Sequence, residues 1–267
     1  MRFIEMGSAS QPALLFLHGL AATAESCYGE VGRLLEKDWR VVLCELDGHY
    51  DGSPPFPGLE ATCKQVEAFV TERCQGRLRG MVGLSLGGTI AVTILSRGNI
   101  TIDKTVLDAA FCVDMGLLRG FYNLIFPMGV GRIRDCKYVP GFVIDGLMGR
   151  GNRSVIEMLS PNIADATCRK ACREIYAYHI SEDLKRTASA VEFWRGSEEP
   201  YPKKSAALLK KLLPGMTERD FANMGHCQFL HERPREYAAL LDAYMRGYEV
   251  IDSEDGRRCD HDPENHH

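Results

Sequence analysis

The sequence lacks the long apolar run that a membrane span or a secretory signal needs. Its first residues contain no basic cluster, and the apolar run at 13–17 is far shorter than the roughly 20 residues of a membrane helix. Basic residues are not concentrated among aromatic ones, and 32 Lys and Arg stand against 36 Asp and Glu, for a formal net charge of -4. We therefore expect a cytoplasmic protein with no transmembrane segment and no nucleic-acid partner.

Closely spaced cysteine pairs of the kind that bind zinc are also missing. The ten cysteines are scattered along the chain without a C-x-x-C pair. This usage favours free thiols in a reducing compartment over a disulfide framework or a zinc site. Cys168 and Cys172 lie four residues apart, which predicts that they share one face of a helix. We expect no metal site.

Short apolar runs alternate with longer helical patterns between residues 13 and 110. This alternation is typical of βα units and predicts an α/β fold with a mostly parallel central sheet flanked by helices. The predicted strands lie at 3–6 (a short edge strand), 13–18, 39–45, 78–84, 104–109, 191–194 and 219–223. At 267 residues, the chain is long enough for one continuous core with one insertion.

The alternation stops after the strand that ends near Ala109 and returns only near residue 190. The intervening sequence predicts helices around 115–125 and 167–179, interrupted by residues such as Pro127, Gly129 and Gly131. We therefore expect a core made of residues 1–110 and 188–250, with a mainly helical cap at 111–187. Residues 251–267 have almost no apolar content and predict a disordered tail.

Ser85 is the first candidate for chemistry. It lies in Gly83-Leu84-Ser85-Leu86-Gly87, directly after an apolar strand and directly before an apolar helix. A sharp turn of this kind exposes a serine hydroxyl, and flanking glycines remove side chains that would collide. Such a pentapeptide occurs by chance in roughly one chain in ten of this length. A nucleophilic serine also needs a base, a group that orients the base, and N–H donors for an oxyanion.

The remaining motifs complete this set and resemble the α/β-hydrolase family, in which serine, acid and histidine occur in this order. His18-Gly19-Leu20 is similar to the family's oxyanion loop. This similarity implies that the backbone N–H groups of Leu20 and Leu86 hold the oxyanion, while His18 shapes the loop. Gly225-His226, just before the last predicted helix, resembles the family's G-H pair and implies that His226 is the general base.

The acid shows the clearest departure from the family pattern. Gly196-Ser197-Glu198-Glu199-Pro200 resembles the family's G-x-x-D-P, with glutamate in place of the commoner aspartate. The resemblance implies Glu199 as the acid that orients the base. Glu198 is the neighbouring alternative. Asp108, at the end of an earlier strand, matches a second position that some family members use.

The resemblance implies a serine hydrolase, most specifically a carboxylesterase that cleaves small or medium acyl esters through an acyl-enzyme on Ser85. It implies no metal and no organic cofactor. Relatives that open epoxides or displace halide use an aspartate where this chain has Ser85. We expect apolar and aromatic cap residues to shape the substrate pocket, with Phe111, Leu118, Phe121 and Tyr122 as candidates.

Two kinds of alternative stay open. The same triad can hydrolyse C–C bonds, thioesters, lipids or peptides, or transfer an acyl group to an acceptor other than water. A protein with this fold can also act as a non-catalytic receptor for a small molecule. The sequence also leaves open whether the chain forms a homodimer.

Overall fold

A seven-stranded sheet forms the centre of the protein in a computed structural model that describes residues 1–148, 156, 159 and 163–248. The strands are β1 (Arg2–Met6), β2 (Ala13–Leu17), β3 (Arg40–Glu45), β4 (Arg77–Leu84), β5 (Thr101–Asp108), β6 (Ala190–Gly196) and β7 (Thr217–Phe221). Their spatial order is β1-β3-β2-β4-β5-β6-β7. The edge strand β1 is antiparallel to β3, and the other neighbouring strands are parallel. The predicted α/β fold with a mostly parallel sheet is confirmed.

Helices connect the strands and cover the sheet. They are α1 (Ala24–Leu35), α2 (Leu59–Arg73), α3 (Leu86–Arg97), α4 (Arg119–Arg134), α5 (Gly141–Met148), α6 (Asp165–Ile175), α7 (Pro200–Leu212), α8 (Gln228–Glu232) and α9 (Pro234–Arg246). Single 3-10 turns at Gly116–Leu118 and Glu182–Arg186 precede α4 and β6. Over the described ranges, no helix has both the length and the apolar character needed to cross a bilayer.

Both faces of the sheet are buried. Leu14 and Phe16 of β2 belong to a core cluster that includes residues of α1 and α9, while Leu15 and Leu17 belong to a second cluster with residues of α2, α3 and α6. The split follows from the alternation of side chains along a strand. An uninterrupted apolar run, as in β2, is therefore the pattern expected of a strand with helices on both faces.

The described chain between β5 and β6 contains the helices α4, α5 and α6, and α4 packs against α6. The sequence predicted a break at Pro127, Gly129 and Gly131, but α4 continues through all three residues. A proline inside a helix removes one backbone hydrogen bond. Here Pro127 and Val130 are buried, and this packing compensates for the lost bond. The predicted tail, 251–267, lies outside the described residues, and the predicted cap boundaries stay a prediction.

Four candidate residues lie at the carboxyl ends of neighbouring strands. Ser85 directly follows β4, Asp108 ends β5, Glu199 follows β6, and His226 follows β7. These four strands are consecutive in the sheet. In open parallel sheets the ligand site lies in the crevice outside the carboxyl ends of the strands. The topology therefore gathers these residues at one edge.

Candidate active site

Ser85 lies in a strained turn between β4 and α3. Its backbone has φ 51° and ψ -110°, a conformation that a residue with a side chain rarely adopts and that costs roughly 1–3 kcal/mol. A Cβ atom added at Gly83 would lie 2.5 Å from the carbonyl oxygen of Gly87, and one added at Gly87 would lie 2.0 Å from that of Leu17. Both glycines are therefore required for the close approach of strand and helix.

The amino end of α3 presents backbone donors beside Ser85. Leu86 is the first residue of α3, and the first four N–H groups of a helix have no acceptor within the helix. The Leu86 side chain is fully buried, so only its backbone can take part in the site. The N–H of Ser85 donates to the carbonyl oxygen of Asp108 at 2.9 Å, which fixes the turn to the end of β5.

His18 fixes the loop that contains Gly19 and Leu20 and lies beside Ser85. The N–H of Leu46 donates to His18 Nε2 at 3.1 Å, so His18 carries its proton on Nδ1, which donates to the carbonyl oxygen of Gly19 at 2.8 Å. In a trans peptide the C=O and N–H point in opposite directions, so holding the Gly19 carbonyl also directs the Leu20 N–H. A Cβ atom added at Gly19 would lie 3.7 Å from Ser85 Cβ. The loop thus lies beside Ser85.

His226 and Glu199 form a hydrogen-bonded pair. Nδ1–H of His226 donates to Oε1 of Glu199 at 2.5 Å, and Oε2 of Glu199 accepts from the Gly196 N–H at 2.7 Å. Burial lowers the pKa of His226, but the charge of Glu199 and this hydrogen bond outweigh burial, so the pKa stands above its ordinary value. With Nδ1–H held by the carboxylate, Nε2 is the ring nitrogen that can act as a base.

The two alternative acids have different surroundings. Glu198 is exposed to solvent, whereas Glu199 is buried with 4% of its surface accessible. Asp108 is also buried, and burial together with the nearby Glu199 charge raises its pKa to about 7, against the lowering effects of Tyr237 and His226. Asp108 therefore lies in the electrostatic field of the pair, but it is Glu199 that accepts the proton of His226.

One pocket brings together four of the residues that the sequence predicted for the reaction. It encloses about 990 Å³, including space open to solvent at its mouth. Its walls include the candidates Leu20, Ser85, Glu199 and His226 and the aromatic residues Phe111, Tyr122, Phe126, Tyr176 and Tyr201.

Two of the four predicted pocket residues lie elsewhere. Phe111 and Tyr122 line the pocket, whereas Leu118 and Phe121 are 55% and 59% exposed on the outer surface and are not on its wall. Phe121 is next to Tyr122 on α4 and therefore points about 100° away from it, whereas Leu118 lies in the 3-10 turn before α4. The structure therefore does not place Leu118 and Phe121 at this pocket.

Tyr201 is a pocket residue that the sequence did not reveal. Its hydroxyl is hydrogen-bonded to that of Tyr122, and the pair joins α7 to α4 across the pocket. Burial and this hydrogen bond raise the pKa of Tyr201 to about 12, so it stays protonated at neutral pH. The sequence feature that could have indicated Tyr201 as a pocket residue is its position, two residues after Glu199.

A model of the alpha/beta hydrolase family matches residues 14–240, which is most of the chain. The chain belongs to the alpha/beta hydrolase family. A pyrrolizixenacetamide deacetylase from Xenorhabdus hominickii is 20% identical over 254 residues, covering 90% of this chain and 92% of the relative.

Solved structures of other alpha/beta hydrolases show the same fold. An alpha/beta hydrolase family protein from Desulfitobacterium hafniense superposes with a TM-score of 0.80 at 20% identity, over 91% of this chain and 100% of that one. A structure from a study of carboxylesterases of Nitrososphaera gargenis gives a TM-score of 0.75 at 15% identity, over 92% and 93% of the two chains. At these identities, the likeness establishes the fold alone.

Two cysteines also line the pocket of this alpha/beta hydrolase. Burial raises the pKa of Cys27 to about 12, and burial raises that of Cys227 well above its ordinary value. Because the thiolate is the reactive form of cysteine, both side chains are poor nucleophiles at neutral pH.

Proposed function

We propose that this alpha/beta hydrolase is a serine carboxylesterase. The observation that carries the proposal is the pairing of His226 with Glu199 on the wall of the pocket that also contains Ser85. Such a pair supplies a base of fixed tautomer, and the strained turn exposes a hydroxyl for it to activate. The relatives named for ester hydrolysis and deacetylation act on acyl groups, which agrees with this chemistry.

In the first half-reaction, the Ser85 oxygen forms a bond to the ester carbonyl carbon while His226 Nε2 takes the hydroxyl proton. The carbonyl oxygen becomes an oxyanion, which the N–H groups of Leu20 and Leu86 stabilise. The intermediate collapses by breaking the bond to the alcohol oxygen. His226 returns its proton to that oxygen, the alcohol leaves, and the acyl group stays on Ser85.

In the second half-reaction, water attacks the acyl-enzyme. His226 takes one proton from the water as its oxygen bonds to the carbonyl carbon, and the same two backbone donors hold the oxyanion. Collapse breaks the bond to Ser85, which recovers its proton from His226. Glu199 remains ionised throughout and stabilises the imidazolium. The proposed reaction steps use neither a metal nor an organic cofactor.

The pocket suits a small or medium acyl group. Its wall is mainly apolar and aromatic, as is common in sites for small apolar ligands. In the proposal, residues 111–187 act as a cap. Phe111 of the segment after β5 and Tyr122 of α4 contact the substrate from the cap side.

The test is turnover of p-nitrophenyl esters from acetate to laurate by the purified wild type, with Ser85→Ala and His226→Ala as matched variants. We expect turnover with a preference for short or medium chains, and a fall in kcat of about 10⁴-fold or more in each variant. His231→Ala is the control, because His231 does not line the pocket.

Three results would contradict the proposal. Turnover that persists in Ser85→Ala would show that another group carries the chemistry. A wild type that turns over no ester, yet binds small apolar ligands tightly in the pocket, would favour the non-catalytic receptor. Turnover of thioesters or amides with no turnover of esters would be consistent with the triad but would contradict the assignment of esters as the substrate class.

A further inference from the structure

The outer face of the cap segment carries a continuous row of exposed apolar side chains. We call it the α4 apolar stripe, and its members are 48% to 104% exposed: Leu117, Leu118, Phe121, Leu124 and Met128. Four of the five recur at intervals of four, three and four residues, which is the spacing of one face of an α-helix. Such residues normally pack into a core. Here they face solvent.

The opposite face of α4 explains why the stripe cannot turn inward. Pro127 and Val130 are buried, and Tyr122 and Phe126 line the pocket. The helix therefore forms a thin wall with the pocket on one side and the stripe on the other. Rotating the helix to bury the stripe would remove Tyr122 from its hydrogen bond with Tyr201.

The charges of α4 are of one sign. The helix contains three arginines and no acidic residue. Arg119 and Arg134 are paired with Asp114 and Asp165, respectively. Arg132 continues the stripe one turn beyond Met128, and its guanidinium donates to the carbonyl oxygen of Tyr138 at 2.7 and 2.9 Å. The Tyr138 carbonyl oxygen accepts these hydrogen bonds but carries no full negative charge, so it does not neutralise the positive charge of Arg132.

We propose that the α4 apolar stripe docks on the surface of a phospholipid bilayer, with Arg132 facing the headgroup phosphates. A helix with one apolar face and basic residues beside it lies in the plane of a membrane surface, where the apolar side chains enter the boundary between headgroups and acyl chains. Tyr138, whose backbone carbonyl accepts from Arg132, is 76% exposed, and a tyrosine side chain suits the same boundary.

The size of the stripe argues against a second copy of the chain as its occupant. Five side chains on α4 and on the 3-10 turn before it offer on the order of 500 Å², which is below the roughly 800 Å² per partner of a stable dimer. A membrane does not need a complementary protein surface of that size. Docking here would bring the wall of the pocket within one helix diameter of the lipid.

The experiment measures co-sedimentation of the full chain with vesicles of phosphatidylcholine and phosphatidylglycerol. Its main variant is Leu117→Gln/Leu124→Gln/Met128→Gln, which leaves the pocket residues unchanged. The matched control is Leu34→Gln/Leu208→Gln, which removes exposed leucines of α1 and α7 at 40% and 37% accessibility. We expect the wild type and the control to bind and the triple variant to lose at least about tenfold in affinity.

Arg132→Gln tests the electrostatic part. We expect it to weaken binding to vesicles with phosphatidylglycerol more than to vesicles of phosphatidylcholine alone, with the difference shrinking as salt is added. The measurements are repeated in Ser85→Ala, because docking does not depend on catalysis. Failure of the esterase proposal would therefore leave the vesicle result unaffected.

Three results would overturn the proposal. The first is a wild type that sediments no more with vesicles than without them, and the second is a triple variant that binds as well as the wild type. The third result is a wild-type dimer, seen by light scattering, that the triple variant alone converts to monomer, since that would make the stripe a protein interface. Unchanged circular dichroism and melting temperature of the triple variant establish that it is folded.

Discussion

Nδ1 of His226 lies 2.5 Å from Oε1 of Glu199, and the second oxygen of the same carboxylate is held by the Gly196 N–H. Both oxygens of Glu199 are therefore engaged, one by the base and one by the end of β6. The extra methylene of glutamate, compared with the aspartate common in the family, is accommodated by this backbone contact. His226 is thereby fixed in the tautomer that carries its proton on Nδ1.

Glu199→Gln should lower kcat for ester hydrolysis by about 10³–10⁴-fold, because the amide can neither fix the tautomer nor stabilise the imidazolium. Glu198→Gln is the matched control and should change kcat little, since Glu198 is exposed. The measurement is kcat on a p-nitrophenyl ester at constant pH.

Asp108→Asn decides between the two buried carboxylates. We expect a loss far smaller than that of Glu199→Gln, because it is Glu199 that accepts the His226 proton. If Asp108→Asn costs orders of magnitude and Glu199→Gln does not, the acid is Asp108 and the assignment is wrong.

The dependence of kcat/KM on pH should reflect the pKa of His226 and the charge of Asp108. Ester hydrolysis needs neutral His226, whose pKa lies above its ordinary value of about 6.5, so kcat/KM should rise with pH through a midpoint above 6.5. The ionised Asp108 carboxylate favours the imidazolium and raises the His226 pKa. Asp108→Asn should therefore move the midpoint to lower pH. An upward shift, or none, would contradict this arrangement.

Gly87→Ala should destabilise the protein by roughly 3 kcal/mol, because its Cβ would lie 2.0 Å from the Leu17 carbonyl oxygen. Gly129→Ala, also within a helix, is the control. A Cβ there meets no atom within 4 Å, and alanine should stabilise the helix by about 0.5–1 kcal/mol. Urea unfolding of both variants gives the comparison, and equal effects would show that the turn tolerates a side chain.

His18→Ala should lower kcat by about tenfold or more with little change in KM, because the Leu20 N–H loses its fixed direction and stabilises the transition state less well. His49→Ala is the matched control. His49 is equally buried and stacks edge-on against His18 at 5.0 Å, but its ring contacts the Asp47 carbonyl instead of the loop. Both variants should lose stability, and equal kcat values in the two would contradict the role of His18.

The sheet and the residues at its carboxyl edge could be predicted from local sequence. Apolar runs such as Leu14–Leu17 identify buried strands, and the turn around Ser85 needs glycines at fixed positions. Gly225-His226 follows the last strand and precedes the last helices, so its position at the end of the sheet can be inferred from the order of the elements along the chain. Each of these features depends on a few adjacent residues, so a single sequence contains it.

The cap segment was less predictable because its structure depends on packing between distant residues. Nothing local distinguishes Phe121, which faces solvent, from Tyr122, which lines the pocket. The orientation of α4 decides between them, and α4 is oriented by α6 and by the contact of Tyr122 with Tyr201, 79 residues away. Likewise, local propensity predicts a break at Pro127, whereas tertiary burial maintains the helix.

The most direct test of Ser85 as the nucleophile is covalent labelling with a fluorophosphonate, followed by mass spectrometry of the peptides. We expect one adduct per chain on the peptide that contains Ser85, with labelling abolished in Ser85→Ala and strongly slowed in His226→Ala. A wild type that stays unlabelled while folded, or an adduct on another residue that persists in Ser85→Ala, would contradict the proposed nucleophile.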